Sequence, residues 1–480
     1  MGGEVKRRAI LRAEALSYSR PIKRARFNAF TIGTRFSGTH YISEELSWWT
    51  SNDERLLGVV NKDLVDNDFG WVLLARDRIG RFRCVLVKVS YSSPRRAEDA
   101  LLSEIKRVIE TGEVETIGIQ ADETNTPIEL LRLPTDCDPS TLHPYFRELL
   151  ERPARAPARA IIREIGPWLT PNDPHLVQEF QNRGFDQRLW EIYLWAAFRE
   201  FGLDVEQYEA PDFRCVGPDI DFTVEATTVS PTTKGALAEH PNPKTIEDTA
   251  KFLDGYMPIK FGSALCSKLT KKNAQGKHYW EREISFDKPF VLAIADFHKP
   301  ATENEPGSMT YTQSALWQYL YGHRVHWRFE GDTLIMERRD IGTHTYASKK
   351  VPSGFFDHPL SKNVSAVIFS NAGTIAKFDR MGVVAGFAAP GVKYLRVGLK
   401  ADPDPNAVMG IPFSADIEAP DYEEHWTDEL QIFHNPGATR PLPFDWLPGA
   451  VHHFEKDGLL QSFTPTDAVL SSITCLINVE

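Results

Sequence analysis

Hydrophobic and polar residues follow one another along this chain in patterns that predict both strands and helices. Short apolar runs at 56–60, 71–75 and 82–89 predict strands, and a short turn ending at Gly80 joins the last two. Residues 96–111 carry apolar positions three and four apart, which is the spacing of a helix with one buried face. These elements predict a small α+β domain over residues 31–151.

A second pattern predicts an unusual helix at 186–201. Asp186 is suited to the N-cap, and Gly202 is suited to the left-handed residue that follows the last turn. The middle of this helix is apolar on every side except at Glu191. A carboxylate in such a position either reaches water at an edge or binds a partner, because burial of an unpaired charge is costly. Both roles stay open for Glu191 at this point.

The helix is followed by two β-rich runs that flank a Gly-Pro-Asp turn at 217–219, which predicts a hairpin. The first run begins with Asp212. In the second run, strand alternation places four polar side chains on one face. These are Asp221, Thr223, Glu225 and Thr227. Asp212 and Glu225 therefore come together as a carboxylate pair, the hard oxygen donors that suit Mg²⁺. Asp219 and Asp221 are competing acidic candidates, although turn chemistry accounts for Asp219.

Further elements follow the hairpin in an alternating order. A helix is predicted at 258–272 with Pro258 at its start, then a buried strand at 289–297, a helix at 313–321 and a buried strand at 364–370. This α-β-β-α-β order predicts an α/β domain, a mixed sheet flanked by helices, over residues 161–395.

The helix with its carboxylate, the hairpin that opens with Pro211-Asp212, and the strand that carries Glu225 together resemble the PD-(D/E)xK nuclease superfamily. The resemblance covers about residues 182–374 and implies the restriction-endonuclease-like fold. It implies that Asp212, Glu225 and the carbonyl group of Ala226 hold Mg²⁺ or Mn²⁺, and that Glu191 adds to the metal shell. Such an ion activates water and stabilises the charge that develops on phosphate.

The chain departs from the family at one position, because Thr227 stands where the resemblance would place a lysine two residues after Glu225. A threonine hydroxyl cannot supply the positive charge that a lysine offers to the phosphate. Some family members carry this lysine on the following helix, so Lys268 is the preferred substitute and Lys260 the second. A solvated surface position is the ordinary alternative for either lysine.

Charge is distributed unevenly along the 480 residues, whose net charge is −11. Residues 1–30 are basic and predict an N-terminal arm that either lies along phosphates or is a solvated tail. Residues 152–160 are rich in proline, alanine and arginine and predict a connector between domains. Residues 396–480 are acidic and punctuated by prolines, which predicts an extension of long loops packed on the preceding domain.

Composition excludes several classes of protein. The hydrophobic fraction of 42% and the charged fraction of 25% are those of a globular chain. No apolar run approaches the about 18–20 residues that a membrane helix needs, so no membrane partner is expected. Five dispersed cysteines without a C-x-x-C pair favour a cytoplasmic location. The pair His323 and His326 has the spacing of metal ligands on a helix, but no third ligand is evident, and a structural role is favoured.

Two hypotheses about function follow from the sequence. The first is a Mg²⁺- or Mn²⁺-dependent nuclease that hydrolyses DNA, in preference to RNA, by attack of activated water. Asp212, Glu225, Glu191 and Lys268 or Lys260 would form its site. The second is a module that keeps the nuclease scaffold without its chemistry, with Thr227 as the mark of that loss. It would bind nucleic acid or a protein partner, and a homo-oligomer is also open.

Overall fold

The computed structural model describes residues 10–121, 128–170, 173–300, 302, 311–404 and 406–479. The described chain is mixed α/β, with several sheets and helices between them. No helix in these ranges is long and apolar enough to cross a membrane.

The helices and strands are numbered here in chain order. The α-helices that are used below are α1 (Arg24–Thr31), α2 (Thr39–Ile42), α3 (Pro94–Glu110), α4 (Pro144–Glu151), α5 (Ala156–Ile165), α6 (Leu176–Gln181), α7 (Phe185–Glu200), α8 (Ile246–Lys251), α9 (Met257–Thr270), α10 (Gln313–Tyr321) and α11 (Ile375–Val384). The strands are β1 (Ser19–Pro21), β2 (Ser43–Ser51), β3 (Leu56–Asp63), β4 (Phe69–Arg76), β5 (Phe82–Tyr91), β6 (Asp204–Gln207), β7 (Phe213–Gly217), β8 (Ile220–Val229), β9 (Phe290–Asp296), β10 (His323–Glu330), β11 (Thr333–Asp340), β12 (Thr343–Tyr346), β13 (Lys349–Pro352), β14 (Ala366–Phe369), β15 (Val392–Lys400), β16 (Ile411–Asp416), β17 (Gln431–His434), β18 (Val451–Lys456), β19 (Leu459–Phe463) and β20 (Val469–Asn478).

The first sheet is antiparallel and joins β1 to β5 in chain order. Its buried side packs against α3, whose apolar positions form one stripe of the helix. The three strands and the helix that the sequence predicts in this region are confirmed. The short apolar runs of the strands and the helical spacing of α3 are the reason, because they match the lengths and periods of these elements.

The basic N-terminal arm is not a free tail where the chain is described. Residues 10–16 are helical, and Arg12 pairs with Glu98 and Asp99 at the start of α3. Arg26 lies on α1 and pairs with Glu54 at 2.7 Å. These arginines are therefore held by carboxylates of the same domain. Residues 1–9 of the predicted arm lie outside the described residues.

Residues 152–160, which are predicted to connect two domains, are helical over most of their length. A short 3-10 turn at Pro153–Arg155 runs directly into α5, and Pro157 lies in the first turn of that helix, where a missing N–H group costs nothing. Ala154 and Ala158 are buried, and α5 packs along α11. Small side chains here serve close packing between helices and not flexibility.

The largest sheet has the strand order β19-β18-β17-β14-β9-β8-β7-β6. Strands β8, β9 and β14 run parallel, while the hairpin partners at both ends are antiparallel. Helix α9 lies in the crossover between β8 and β9. The mixed sheet that the sequence predicts is therefore present.

Each face of this sheet has its own helices. On β8, Phe222, Val224 and Ala226 join the apolar cluster of α7, whereas Val229 joins the cluster of α9 and α10. The polar positions that alternate with Phe222 and Val224 thus face α9. This orientation brings α9 and the polar side chains of β8 together.

The acidic C-terminal region differs from its prediction as a series of long loops. Strands β17, β18 and β19 extend the large sheet, and β15, β16 and β20 form a three-stranded antiparallel sheet. Buried side chains of these strands, such as Ile432 and Phe433, carry the apolar signal. Strands β17, β18 and β19 have only four to six residues each, and the surrounding acidic residues and prolines obscured this signal in the sequence.

Three local predictions also need correction. The N-cap of α7 is Gly184, and Asp186 lies within the first turn. The helix predicted to start at Pro258 begins at Ile246, and a π-helical turn at Phe252–Tyr256 lies directly before α9. A widened turn accommodates a proline inside a helix, because proline has no N–H group to donate.

His323 and His326 belong to β10, where side chains three apart face opposite sides.

Candidate active site

The hairpin of β7 and β8 places Asp212 beside Glu225. Phe213 pairs with Val224 in the antiparallel register, so the next pair along the hairpin is Asp212 with Glu225. The Oδ2 atom of Asp212 accepts a hydrogen bond from the backbone N–H group of Ala226, at 2.6 Å. This bond fixes the Asp212 carboxylate against the strand that carries Glu225.

Glu225 lies in the middle of β8 with 3% of its surface exposed. Its Oε1 atom accepts a hydrogen bond from the Nζ atom of Lys268, at 2.6 Å. Its Oε2 atom is buried and has no hydrogen-bond partner among the described residues. A buried carboxylate oxygen without a partner is costly, so a ligand at this oxygen would stabilise the site.

The two candidate lysines lie at different places on α9. Lys268 belongs to the last turn of the helix and contacts the carboxylate pair through Glu225. Lys260 lies eight residues earlier, and its Nζ atom donates to the carbonyl oxygen of Ser230 and to the hydroxyl group of Thr232, each at 2.6 Å. The structure therefore brings Lys268, and not Lys260, to Glu225.

Glu191 is 8% exposed and is held by residues of its own helix. The side-chain amide of Gln187 donates to its Oε1 atom at 2.8 Å, and Arg188 donates to its Oε2 atom at 2.8 Å. Arg188 also pairs with Glu179 and Asp173. The carboxylate on the apolar helix thus has the partners that its burial requires.

Electrostatic coupling shows that the three carboxylates and Lys268 form one cluster. Burial raises the pKa of Asp212 well above its usual value, and the charges of Glu225 and Glu191 raise it further. Burial also raises the pKa of Glu191, while Arg188 opposes that change. Burial alone would lower the pKa of Lys268, but Glu225 and Asp212 outweigh it and raise that pKa. Negative charge therefore exceeds what Lys268 can balance.

The remaining predicted residues fall into two groups. Thr227 is 7% exposed and follows Glu225 on the same face of β8, and Ala226 lies between them. The acidic alternatives lie elsewhere. Asp221 accepts two hydrogen bonds from Arg214, each at 2.9 Å, and Asp219 adopts a positive φ of 58° in the turn. Neither of these two aspartates competes with Asp212.

The sequence interpretation missed three residues of the cluster. Gln187 and Arg188 lie four and three positions before Glu191, which is the spacing of neighbours on a helix surface, so this signal was present in the sequence. Tyr279 had no such signal. Burial raises the pKa of Tyr279, and the charge of Glu225 and a side-chain interaction with that carboxylate add to the effect. The Tyr279 hydroxyl group and Glu225 Oε2 are both buried and have no other partner among the described residues.

The donors at this site fit a hard divalent cation. Asp212 and Glu225 supply carboxylate oxygens, one of them without a partner, and Mg²⁺ commonly takes only one or two protein carboxylates. A closed protein cage is not present. Within the described ranges, no group of three or more His, Cys, Asp or Glu side chains is arranged to hold a metal ion. The site therefore suits an ion that keeps water and substrate oxygens as its other ligands.

Comparisons with protein-family models, with curated proteins and with solved structures found no match to this chain.

Proposed function

We propose that this protein is a metal-dependent nuclease that hydrolyses phosphodiester bonds of DNA by attack of water. The observation that carries the proposal is the contact of Lys268 with Glu225, next to Asp212, which unites the hairpin and α9 at one point. Two carboxylates and one ammonium group are the set that the PD-(D/E)xK resemblance requires. Under this proposal, the described α/β core is of the restriction-endonuclease-like type.

Each side chain has a distinct task in this proposal. Asp212 and Glu225 would hold Mg²⁺ or Mn²⁺ together with the carbonyl group of Ala226, and the ion would lower the pKa of a bound water and offset charge on the phosphate. Lys268 places a positive charge beside Glu225, where it stabilises the negative charge that develops on the phosphate. Arg188 and Gln187 fix Glu191, which keeps a third carboxylate near the pair.

One observation favours a second candidate function. In the described chain, Lys268 pairs directly with Glu225, and no cluster of three metal-ligating side chains is present. An ion pair at that point neutralises the carboxylate without a metal. In this second candidate, the scaffold binds nucleic acid or a protein partner and performs no hydrolysis.

A nicking assay separates the two candidates. The full chain is incubated with supercoiled plasmid and Mg²⁺ or Mn²⁺, beside the variants Asp212→Asn and Glu225→Gln. Asp219→Asn is the matched control, because it removes a carboxylate from the same hairpin outside the cluster. We expect wild type and the control to nick, and each site variant to lose about a hundredfold or more in rate.

Nicking that survives both Asp212→Asn and Glu225→Gln would refute the site. A wild-type chain that binds DNA and nicks no substrate under any of these metals would instead favour the second candidate.

A further inference from the structure

A second group of ionisable side chains lies at the carboxyl ends of β8 and β9. We refer to His240, Lys260, Asp296 and His298 as the His298 cluster. Val229 pairs with Asp296 at the ends of the two parallel strands, and Lys260 contacts Ser230 just beyond β8. Carboxyl ends of adjacent parallel strands are the usual position of ligand sites in α/β sheets.

Asp296 and His298 form a buried dyad, with neither side chain exposed. The Nδ1 atom of His298 lies 2.9 and 3.1 Å from the two carboxylate oxygens of Asp296, and the His298 backbone N–H group donates to the same carboxylate at 3.0 Å. The carboxylate thus fixes the ring with its proton on Nδ1. The opposite atom, Nε2, is buried and has no partner among the described residues.

Two aromatic rings and a second histidine surround the dyad. The π-helical turn before α9 brings Phe252 to 5.2 Å and Tyr256 to 6.0 Å from the His298 ring, measured between ring centroids. A second imidazole atom, Nδ1 of His240, is likewise buried without a partner in the described chain. Such π-turns are frequent at functional sites.

Lys260 brings a cation to this place, and Lys349 of β13 adds a second. Burial lowers the pKa of Lys260 to about 8, and Lys349 lowers it further, whereas Asp296 opposes the change. Strand β13 packs on α9, and Lys349 is exposed. Among the described residues, Asp296 shares its charge between His298 and Lys260. An anion would supply further negative charge to the two lysines.

The cluster and the candidate active site lie on one face of the sheet. Glu225 and Val229 share a face of β8, and Asp296 lies opposite Val229 on β9 with the same orientation as Leu292 and Ile294. Four residues along a strand separate the two sites by about 13 Å. The eight residues from Lys260 to Lys268 give about 12 Å along α9. A second phosphate of the same strand, a few nucleotides from the cleaved bond, lies within such a distance.

We propose that the His298 cluster and Lys349 bind one backbone phosphate of a nucleic-acid strand while the phosphodiester that is cleaved lies at Glu225 on the same strand. This proposal rests on the proposed function. Lys260 and Lys349 supply charge to the phosphate oxygens. Asp296 holds the His298 ring in place, and Nε2 of that ring is the polar atom of the cluster that has no partner among the described residues. The substrate is then a polynucleotide that extends beyond the cleaved bond, not a dinucleotide.

The test measures binding without hydrolysis. Full-length protein in EDTA is titrated into a fluorescent DNA of about 20 base pairs over a series of salt concentrations. The variants are Lys349→Ala and His298→Gln, and Lys350→Ala is the matched control on the neighbouring, exposed position of β13. We expect the two variants to weaken binding about three- to tenfold and to reduce the salt slope by about one, with the control unchanged.

The following outcomes would overturn the proposal that the His298 cluster and Lys349 bind a phosphate of the DNA. Binding by Lys349→Ala that equals binding by Lys350→Ala would do so even if His298→Gln failed to fold, because Lys349 is exposed. A wild-type chain that binds no DNA would also overturn it. Calorimetry with inorganic phosphate is the second arm, and phosphate binding that His298→Gln abolishes while DNA affinity stays constant would assign the cluster to free phosphate.

The nicking assay remains independent of this result. Variants that bind DNA like wild type while wild type nicks plasmid would leave the nuclease proposal standing and remove the subsite. If DNA binding depends on Lys349 and the wild-type chain nicks no plasmid, the phosphate site would stand and the nuclease proposal would fall.

Discussion

The Nζ atom of Lys268 lies 2.6 Å from the Oε1 atom of Glu225, although 43 residues separate the two along the chain. The contact exists because α9 lies in the crossover from β8 to β9 and covers the face of β8 that carries Glu225. Under the proposed function, this lysine in the last turn of α9 would take the place of the lysine that the resemblance puts at position 227 on the strand.

The contact between Lys268 and Glu225 predicts that a lysine at position 227 can partly replace the lysine at position 268. Lys268→Met should reduce nicking about a hundredfold, because the charge beside the phosphate is lost. Adding Thr227→Lys to that variant should recover about tenfold, since residue 227 faces the same side of β8 as Glu225. The measurement is the single-turnover rate of plasmid nicking at saturating Mg²⁺.

Lys272→Met is the control for the exchange, because it removes an exposed lysine just after α9. Equal rates for Lys268→Met and Lys272→Met would show that the ammonium group at 268 has no part in hydrolysis. A double variant without any recovery would show that position 227 cannot replace it.

The sequence predicted the cluster to the extent that local patterns determine it. The alternation of β8 and the turn at 217–219 place Glu225 and Asp212 together, because a hairpin register follows from its turn. The contact of Lys268 depended on the direction of a whole helix, which spacing alone left open between Lys260 and Lys268. Tyr279 lies in a 3-10 turn with no periodicity, so only the tertiary fold brings it near Glu225.

The same limit explains features of the fold that the sequence patterns did not predict. Proline and alanine at 152–160 are typical of a connector, but they also suit a helix start and close helix packing, and only the presence of α11 decides between these. The strands β17 and β18 are short and acidic residues surround them. Their place in the large sheet depends on β14, which lies more than sixty residues earlier in the chain.

Asp186 offers a test of pH-dependent stability. Burial raises its pKa from 3.8 to about 7, and its Oδ1 atom has no hydrogen-bond partner in the described chain. Between these two values the folded state keeps a proton that the unfolded state releases, so the free energy of unfolding falls as the pH rises. Asp186→Asn should therefore be more stable than wild type at pH above about 7, on the order of 2 kcal/mol.

The gain from Asp186→Asn should shrink as the pH falls from about 7 toward 3.8, and the wild-type carboxyl group is protonated in both states only below 3.8. Urea unfolding at a series of pH values measures it, and Asp219→Asn serves as the control at an exposed turn. If the difference in free energy of unfolding between Asp186→Asn and wild type stays constant with pH, burial does not raise the pKa of Asp186 as stated.

Glu424 should make the opposite contribution. Its buried carboxylate lies 2.7 Å from Lys377 and 2.9 Å from Arg380. Burial alone would raise its pKa, but Arg380, Lys377 and Arg396 outweigh burial and hold the pKa well below 4.5. The stability from this lowered pKa is present above about pH 4.5 and is lost as the pH falls below it. Glu424→Gln should cost about 3–5 kcal/mol at pH 7, because it leaves buried cations unpaired.

Thermal and urea unfolding at pH 7 and near pH 3 measure the effect of Glu424→Gln, and the difference from wild type should narrow at the lower pH. Glu418→Gln, which changes an exposed carboxylate in the same region, should leave stability within about 0.5 kcal/mol of wild type. A variant at 424 as stable as that control would show that the cations find other partners.

Gly382 should tolerate no side chain, because α11 approaches the backbone of α5 closely there. A Cβ atom at this position would lie 2.4 Å from the carbonyl oxygen of Pro157, which is backbone and cannot rotate away. Gly382→Ala should therefore destabilise the protein by about 1–3 kcal/mol despite the better helix propensity of alanine. Gly342→Ala is the control, since no atom lies within 4 Å of its Cβ position. Urea unfolding checks both variants, and equal midpoints would show that the two helices can separate without cost.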